Sequence, residues 1–291
     1  MIRRRDLIAG SLAAVSAPAR AAVAPPARLR DRFWLWGHEA GSHNQGWDIP
    51  KPSRMTPAEA AFYLDIPNLI LVRYHGKPEP PFDQYALALR PLRELVWSVV
   101  GAGGATGAAE RDAVFSLASR APNVSGVMMD DFFDTRSGPV RGALTLEELD
   151  ALQQRLKGGA AKLDLWVVLY THQLDAPVAE HLKRCDVVTL WTWKAQELPQ
   201  LPANLERAER LAPGKRIVLG CYMWDYGTRK PMPVDAMRAQ CEQGLRWLEQ
   251  GRIEGMIFLA SCIADLELEA VEWTRAWIRE VGGRKAPRRG R

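Results

Sequence analysis

The feature that most constrains the fold of this chain is the regular alternation of short apolar runs with amphipathic helical stretches. Eight apolar runs cover residues 33–37, 69–74, 96–100, 124–129, 165–170, 187–191, 216–222 and 255–260. Helical stretches follow them in order at residues 57–64, 84–94, 111–120, 146–157, 176–183, 203–211, 233–250 and 267–280. The apolar runs are continuous rather than alternating, which is typical of parallel strands that are covered by helices.

Eight strand–helix units in one chain of 291 residues predict a single-domain (β/α)8 TIM barrel, an α/β fold, over residues 30–282. A doubly wound sheet is the alternative, and it would carry a glycine-rich phosphate loop after its first strand. The glycines Gly101, Gly103 and Gly104 instead follow the third strand and lack that spacing. We therefore predict a turn there and favour the barrel.

The two ends of the chain differ in composition from the rest. Residues 1–21 begin with Arg3, Arg4 and Arg5, continue with a short, weakly apolar stretch, and end in small residues up to Ala21. This segment resembles a twin-arginine export signal with its cleavage site, and it is too short in apolar residues to span a bilayer. We predict a periplasmic or secreted mature protein with no membrane span, and a disordered basic tail at residues 283–291.

The basic composition comes from these two ends. Of the 39 Lys and Arg residues, four lie in the first segment and five in the tail, so the part between them is slightly acidic. That part also has no long basic run, which argues against nucleic acid as the main partner. The four cysteines lack the C-x-x-C spacing of zinc sites, and we predict that they are free, buried thiols.

Polar and aromatic residues gather where the predicted strands end, which is where the functional residues of TIM barrels lie. Residues at or just after these ends are Trp36, His38, Glu39, His43, Asn44, Trp47, Arg73, Tyr74, His75, Lys77, Asp130, Asp131, Asp134, Tyr170, His172, Trp191, Trp193, Lys194, Tyr222, Trp224, Asp225, Tyr226, Ser261 and Asp265. Four of the five histidines follow strand ends, and His181 is the exception. A single histidine is explained as a structural residue, but several strand ends together predict a functional cleft.

Three carboxylates follow the fourth strand within five residues: Asp130, Asp131 and Asp134. Such groups repel one another, so we expect their charge to be used in acid–base chemistry, in binding a polar ligand or in binding a cation. The alternative to an acid–base role is that these three residues bind a hard cation. The early H-x-H pattern of metal-dependent barrel hydrolases is absent, since Glu39 and Ala40 follow His38. We assign no metal and no cofactor.

The aromatic residues at the strand ends favour a carbohydrate ligand, because indole and phenol rings stack on the apolar faces of sugars while carboxylates, His and Arg bind hydroxyls. The predicted substrate-binding residues are Trp36, His38, Arg73, His75, Asp134, Tyr170, His172, Trp191, Trp193, Tyr222 and Trp224. A role in the core is the alternative for Trp191.

The chain resembles glycoside hydrolase-type TIM barrels in three features. These are the alternation of eight strands and eight helices, the strand-four ending from Gly126 to Asp134, and the aromatic residues at the strand ends. The resemblance covers most of the mature chain as architecture. The strand-four ending is similar to the chitinase-like pattern of alternating acids that ends in Glu. It differs in that Phe132 and Phe133 follow the doublet and residue 134 is Asp. The Asn-Glu pair of many retaining barrels is also absent, so no family within the group is assigned.

The resemblance implies an exported glycosidase that cleaves an oligo- or polysaccharide with two carboxylates. Asp130 or Asp131 is one of them, and only one faces the barrel axis if the strand continues that far, because consecutive side chains alternate. Asp225 and Glu39 are the candidates for the second carboxylate. The alternatives are a non-catalytic carbohydrate-binding barrel and a metal-dependent hydrolase of a polar ester or amide.

Overall fold

The structure of the protein is a computed structural model. It describes residues 27–134, 140–159 and 162–287. The predicted export signal at residues 1–21 and the last four residues of the predicted tail lie outside this part of the chain. None of the described helices has the length and apolar content needed to cross a membrane.

Eight parallel strands close into one barrel, which confirms the predicted (β/α)8 fold. The strands are β1 (Phe33–Gly37), β2 (Asn68–Leu71), β3 (Glu94–Val100), β4 (Val124–Met129), β5 (Asp164–Tyr170), β6 (Val187–Trp191), β7 (Arg216–Tyr222) and β8 (Gly255–Leu259). Each strand pairs with its neighbours in chain order, and β8 pairs with β1 to close the barrel. Two short antiparallel hairpins follow β4 and β7.

Helices connect the strands and cover the outside of the barrel. They are α1 (Pro57–Leu64), α2 (Asp83–Ala86), α3 (Ala108–Arg120), α4 (Leu146–Gly158), α5 (Ala179–Leu182), α6 (Leu201–Leu211), α7 (Val234–Glu249) and α8 (Glu269–Val281). Thr56 and Thr145 begin α1 and α4 with capping boxes, in which the threonine hydroxyl and a glutamate three residues later satisfy the first free amides.

The second helix is much shorter than the predicted stretch of residues 84–94. It forms a single turn, followed by a 3-10 turn at Leu87–Leu89, and β3 already begins at Glu94. The reason is Pro91, which has no amide hydrogen to donate to a preceding helical turn. Amphipathic spacing alone therefore overestimates this helix.

Tryptophans fill the inside of the barrel. Trp34 on β1 packs edge-on against Trp166 on β5, with ring centroids 5.0 Å apart, and Trp36 packs against Trp191 at 5.2 Å. A glycine on β7 makes room for this layer, because a Cβ at Gly220 would lie 2.1 Å from the Trp191 ring. The alternate residue Phe33 packs outward and stacks on Trp277 of α8 at 5.6 Å.

The start of the predicted tail is part of the folded structure. The amide of Leu29 donates to the carbonyl of Arg284, and that of Ala286 donates to Ala27. The folded part therefore extends past residue 283, where composition predicted a disordered end. The four cysteines are free and buried, as predicted.

Candidate functional site

A cleft opens at the carboxyl ends of the strands and divides into a central pocket and two outer lobes. The central pocket has about 490 Å³ of empty space, including the part open to solvent, and is lined by Trp36, His38, His43, Trp47, Tyr74, Ala102, Asp130, Asp131, Val168, Tyr170, Trp191, Trp193, Tyr222, Tyr226 and Leu259. The β2–β3 lobe is lined by Trp47, Arg73, Tyr74, His75, Gly76, Gly101, Ala102, Gly103, Ala105, Glu110 and Asp131. The β5–β6 lobe is lined by Trp47, Gly103, Asp131, Phe133, Tyr170, His172, Gln173 and Trp193. Trp47 and Asp131 line all three spaces.

Both members of the aspartate doublet face the central pocket. The strand β4 ends at Met129, and the backbone of Asp131 adopts a left-handed conformation with φ of 44°. Because the regular strand has ended, the alternation that would turn one side chain away from the axis no longer applies. Aspartate is among the residues that tolerate this conformation best.

The carboxylate of Asp131 accepts a hydrogen bond at each oxygen. Tyr170 donates its hydroxyl to Oδ1 at 2.6 Å, and the backbone amide of Gly103 donates to Oδ2 at 2.8 Å. Gly103 belongs to the glycine turn after β3, where it adopts φ of 72°. The turn that the sequence predicted therefore supplies an amide to this acid, and the carboxylate is fixed from two sides.

Asp130 lies deeper than its neighbour. Its side chain is buried, its own amide is bonded to the carbonyl of Val100 on β3, and its Oδ1 accepts the amide of Asp131 at 2.9 Å. Burial raises the pKa of Asp130 well above its ordinary value, and the adjacent charge of Asp131 raises it further. Two adjacent acids thus have different environments.

Two tyrosines, Tyr170 and Tyr222, line the central pocket together with the doublet. Desolvation raises the pKa of the Tyr170 hydroxyl well above its ordinary value, with further contributions from Tyr222 and both aspartates. Burial and the same two aspartates raise the pKa of Tyr222. Both phenols therefore stay protonated at neutral pH and can donate to a carboxylate or to a ligand oxygen.

His38 is a structural part of the pocket wall. Its Nδ1 lies 2.8 Å from the carbonyl oxygen of Val72, and its Nε2 accepts the indole N–H of Trp36 at 3.2 Å. These contacts assign the proton to Nδ1. Burial lowers the pKa of His38 to about 4, so the ring is neutral at neutral pH. With both nitrogens occupied, His38 holds Trp36 and does not offer a free base.

A second buried histidine, His43, supports the loop that carries Trp47. The His43 Nδ1 lies 3.1 Å from the Tyr226 hydroxyl, and burial lowers the pKa of its ring well below the ordinary value. The indole of Trp47 donates to the Tyr74 hydroxyl at 3.2 Å, and its carbonyl accepts the indole N–H of Trp224 at 3.0 Å. The position of Trp47 over the cleft is therefore fixed by several elements.

The remaining two histidines on this face are exposed at the rim. His75 lies in the β2–β3 lobe, with its ring 4.5 Å from that of Tyr74. His172 lies in the β5–β6 lobe and stacks on Tyr170, with centroids 5.4 Å apart and an interplanar angle of 8°. Partial burial lowers the pKa of His172. Each outer lobe thus presents one accessible imidazole beside an aromatic ring.

No protein-family model and no curated protein matches this chain. Among solved structures it is similar to the catalytic domain of a hyperthermophilic chitinase from Pyrococcus furiosus, at 12% identity over 89% of this chain and 99% of that chain, with a TM-score of 0.57. A xylanase–alpha-amylase inhibitor protein in complex with trehalose matches at 11% identity over 86% and 98%, with a TM-score of 0.54. A spore cortex-lytic enzyme from Bacillus megaterium matches at 11% identity over 92% and 77%, with a TM-score of 0.50. Likeness at this level of identity shows the fold.

Most of the site residues predicted from the sequence meet in the cleft. Those that line it are Trp36, His38, Arg73, His75, Asp130, Asp131, Tyr170, His172, Trp191, Trp193 and Tyr222. Trp191 is also almost fully buried, so it belongs to the core and the pocket floor at once. The guanidinium of Arg73 is already bound to Glu110 and to the carbonyls of Pro78 and Gly76.

Four predicted residues lie outside the described lining: Glu39, Asp134, Trp224 and Asp225. The carboxylate of Asp225 accepts the amides of Ala195 and Thr228 at 3.2 and 3.1 Å, so it connects two loops. Trp224 donates its indole N–H to the carbonyl of Trp47 and so positions that residue. Asp134 lies in the hairpin after β4, where it pairs with Arg141. The geometry therefore gives no support to Glu39 or Asp225 as the second carboxylate.

The cleft also contains residues that were given no catalytic or substrate-binding role from the sequence: His43, Trp47, Tyr74, Gly103 and Tyr226. Tyr74 and Tyr226 follow strand ends and were placed there from the sequence, but they were not selected as binding residues. Trp47 lies ten residues after the end of β1, and only the fold of its loop brings it over the cleft. Within the described ranges, no group of three or more His, Cys, Asp or Glu side chains is placed to hold a metal ion.

Proposed function

We propose that this chain is a glycoside hydrolase that cleaves an oligo- or polysaccharide with Asp130 and Asp131 as its acid pair. One observation carries the proposal: both carboxyls line the same aromatic pocket at the carboxyl ends of the strands, in unlike environments. Acids that share a site but differ in environment divide the roles of proton donor and carboxylate between them.

Asp130 is the general acid in this proposal. Burial and the charge of Asp131 raise the pKa of its carboxyl, so that it carries a proton when the substrate binds. It gives that proton to the glycosidic oxygen while the bond from the anomeric carbon to this oxygen breaks.

Asp131 takes the second role. Its carboxylate attacks the anomeric carbon or removes a proton from the attacking water, and the hydrogen bonds from Tyr170 and Gly103 orient it for either step. Over the whole reaction, one water supplies the hydroxyl on the anomeric carbon and the proton that restores Asp130.

The aromatic residues bind the sugar. Trp47, Trp193 and Tyr222 present rings to the central pocket, and each is held by edge contacts to neighbouring rings. Below them, the buried rings of Trp36 and Trp191 form the floor. Flat rings of this kind stack on the apolar faces of pyranose units and leave the hydroxyls to polar groups.

A screen of soluble polysaccharides with matched variants tests the proposal. The wild-type protein is assayed for reducing-sugar release beside Asp130→Asn, Asp131→Asn and the control Glu39→Gln, which alters a carboxylate outside the described lining. We expect each Asn variant to lose activity by about 10²- to 10⁴-fold, while the control keeps it. Full activity in both Asn variants would show that the doublet is not the acid pair.

A non-catalytic carbohydrate-binding barrel is the second candidate. It is favoured by the placement of Glu39 and Asp225 outside the cleft, which leaves two adjacent residues, Asp130 and Asp131, as the acids in the described lining of the central pocket. Its fold is shared with an inhibitor protein whose structure contains trehalose. Quenching of tryptophan fluorescence by oligosaccharides, without any release of reducing sugar, would favour this candidate over the hydrolase.

We further propose that the protein is exported to the periplasm or secreted, on the strength of the arginine-led segment at residues 1–21. Fractionation of bacterial cells that express the full chain tests this, with Arg3, Arg4 and Arg5 changed to Lys in the control. The proposal predicts that the wild-type chain is found outside the cytoplasm and that the variant is retained.

A further inference from the structure

We infer that the cleft binds a linear polysaccharide across the mouth of the barrel and that hydrolysis occurs at internal linkages. This inference rests on the proposed glycosidase function and specifies its substrate as a chain that extends in both directions from the cleaved bond. It depends on how the central pocket connects to the two outer lobes.

The two outer lobes lie on opposite sides of Asp131. In the barrel, β4 stands between β3 and β5, and Asp131 follows its end. Segments after β2 and β3 form one lobe, with His75 at its rim, and segments after β4, β5 and β6 form the other, with His172. Asp131 therefore stands at the junction of two exits.

Both lobes are continuous with the central pocket. Tyr74 and Ala102 line the pocket and the β2–β3 lobe, while Tyr170 and Trp193 line the pocket and the β5–β6 lobe. A sugar unit in the pocket can thus be joined to further units on either side. A site that removes units from a chain end needs a wall that stops the chain on one side.

Each lobe contains side chains that can bind a sugar. The β2–β3 lobe offers the exposed imidazole of His75 beside the Tyr74 ring, and the β5–β6 lobe offers His172 stacked on Tyr170. Imidazole nitrogens bind hydroxyls, and the neighbouring rings offer apolar faces.

Trp47 crosses the junction from the loop after β1. Its contacts with Tyr74, on the side of one lobe, and with Trp193, on the side of the other, hold it above the point where the lobes meet. We expect Trp47 and Asp131 to contact the same two sugar units, those on either side of the cleaved bond.

The first test compares the loss of viscosity of a polymer solution with the release of reducing ends. The probes are neutral soluble polysaccharides, namely hydroxyethyl cellulose, glycol chitin and barley β-glucan. For any polymer that is cleaved, we expect at least half of the specific viscosity to be lost before free mono- or disaccharide is detectable.

Two outcomes separate this inference from the function on which it rests. Steady release of mono- or disaccharide while viscosity is retained would overturn internal cleavage and leave the glycosidase function in place. Failure to cleave any of the three polymers would count against both.

Variants of the two lobes provide the second test. His75→Ala and His172→Ala each remove one rim contact, and the control is Glu206→Gln, which changes an exposed residue of α6 outside the cleft. We expect each histidine variant to lower kcat/KM for the polymer by about 2- to 10-fold, the effect of one hydrogen bond, with a smaller loss for a short aryl glycoside. If only one histidine affects the polymer, the chain leaves the pocket on one side and the inference is wrong.

Discussion

The inner and outer histidines of the cleft serve different purposes, although all of them follow strand ends. His38 and His43 are buried, each is hydrogen-bonded inside the protein, and burial lowers the pKa of both. His75 and His172 are exposed at the rim of the outer lobes. The inner pair fixes the shape of the pocket, and the outer pair is available to a ligand.

This difference teaches that the floor of the cleft is a closed structure and that its rim is an open surface. The floor rings of Trp36 and Trp191 are buried, pack edge-on against each other, and donate their indole N–H groups to His38 and Thr189. Changes at the floor should therefore reduce the free energy of unfolding, whereas changes at the rim should affect binding and leave stability almost unaltered.

The largest effect is expected from Gly220→Ala, because the added Cβ would lie 2.1 Å from the Trp191 ring. The overpacked floor should lower the free energy of unfolding by about 3 kcal/mol or more. Urea denaturation followed by circular dichroism measures it. Gly158→Ala is the matched control, since a Cβ at that helical position has nothing within 4 Å and should stabilise slightly.

His38→Ala should have the next largest effect. It removes the acceptor of the buried Trp36 indole and the donor to Val72, and it leaves a cavity in the floor. We expect a loss of about 2–4 kcal/mol in the free energy of unfolding. A loss below about 0.5 kcal/mol, measured in the same urea experiment, would contradict the structural role assigned to this histidine.

The doublet should make stability depend on pH in a defined direction. Folded Asp130 has a raised pKa, so between the ordinary pKa of about 3.9 and the folded value the unfolded chain binds fewer protons, and stability falls as pH rises. Asp130→Asn lacks this contribution. Between pH 4 and the folded pKa of Asp130, the variant should gain stability relative to the wild type by up to about 1.4 kcal/mol per pH unit. A difference that does not change with pH would contradict the raised pKa.

The smallest effect on stability is expected at the rim. His172→Ala removes an exposed ring that stacks on Tyr170, and the free energy of unfolding should change by no more than about 0.5 kcal/mol. A loss as large as that of His38→Ala would remove the distinction between floor and rim.

The barrel itself was predictable because its signal is local. Each apolar run is one strand, and Thr56 and Thr145 begin helices through contacts within four residues. The length of the helix after β2 was overestimated, because the amphipathic spacing was followed past Pro91, which interrupts a helix. Pairing of residues 284–286 with the start of the barrel was not predictable, since it joins distant segments.

The membership of the cleft was largely predictable, but the roles of its residues were not. A position just after a strand identifies a residue that can reach the cleft. It does not reveal burial, and burial is what distinguishes His38 from His75. The left-handed backbone of Asp131, which brings both aspartates to one pocket, is a feature of one turn. Asp225 followed a strand like the others, but the distant amide of Ala195 binds its carboxylate.

The most direct test of the central claim compares two leaving groups. Rates are measured for wild type, Asp130→Asn and Asp131→Asn on a cleaved oligosaccharide and on the dinitrophenyl glycoside of the same sugar, whose leaving group needs no proton. If Asp130 is the acid, its variant loses about 10²- to 10⁴-fold on the oligosaccharide and far less on the aryl glycoside, while Asp131→Asn loses activity on both. Equal losses on both substrates for Asp130→Asn would contradict its role as the proton donor.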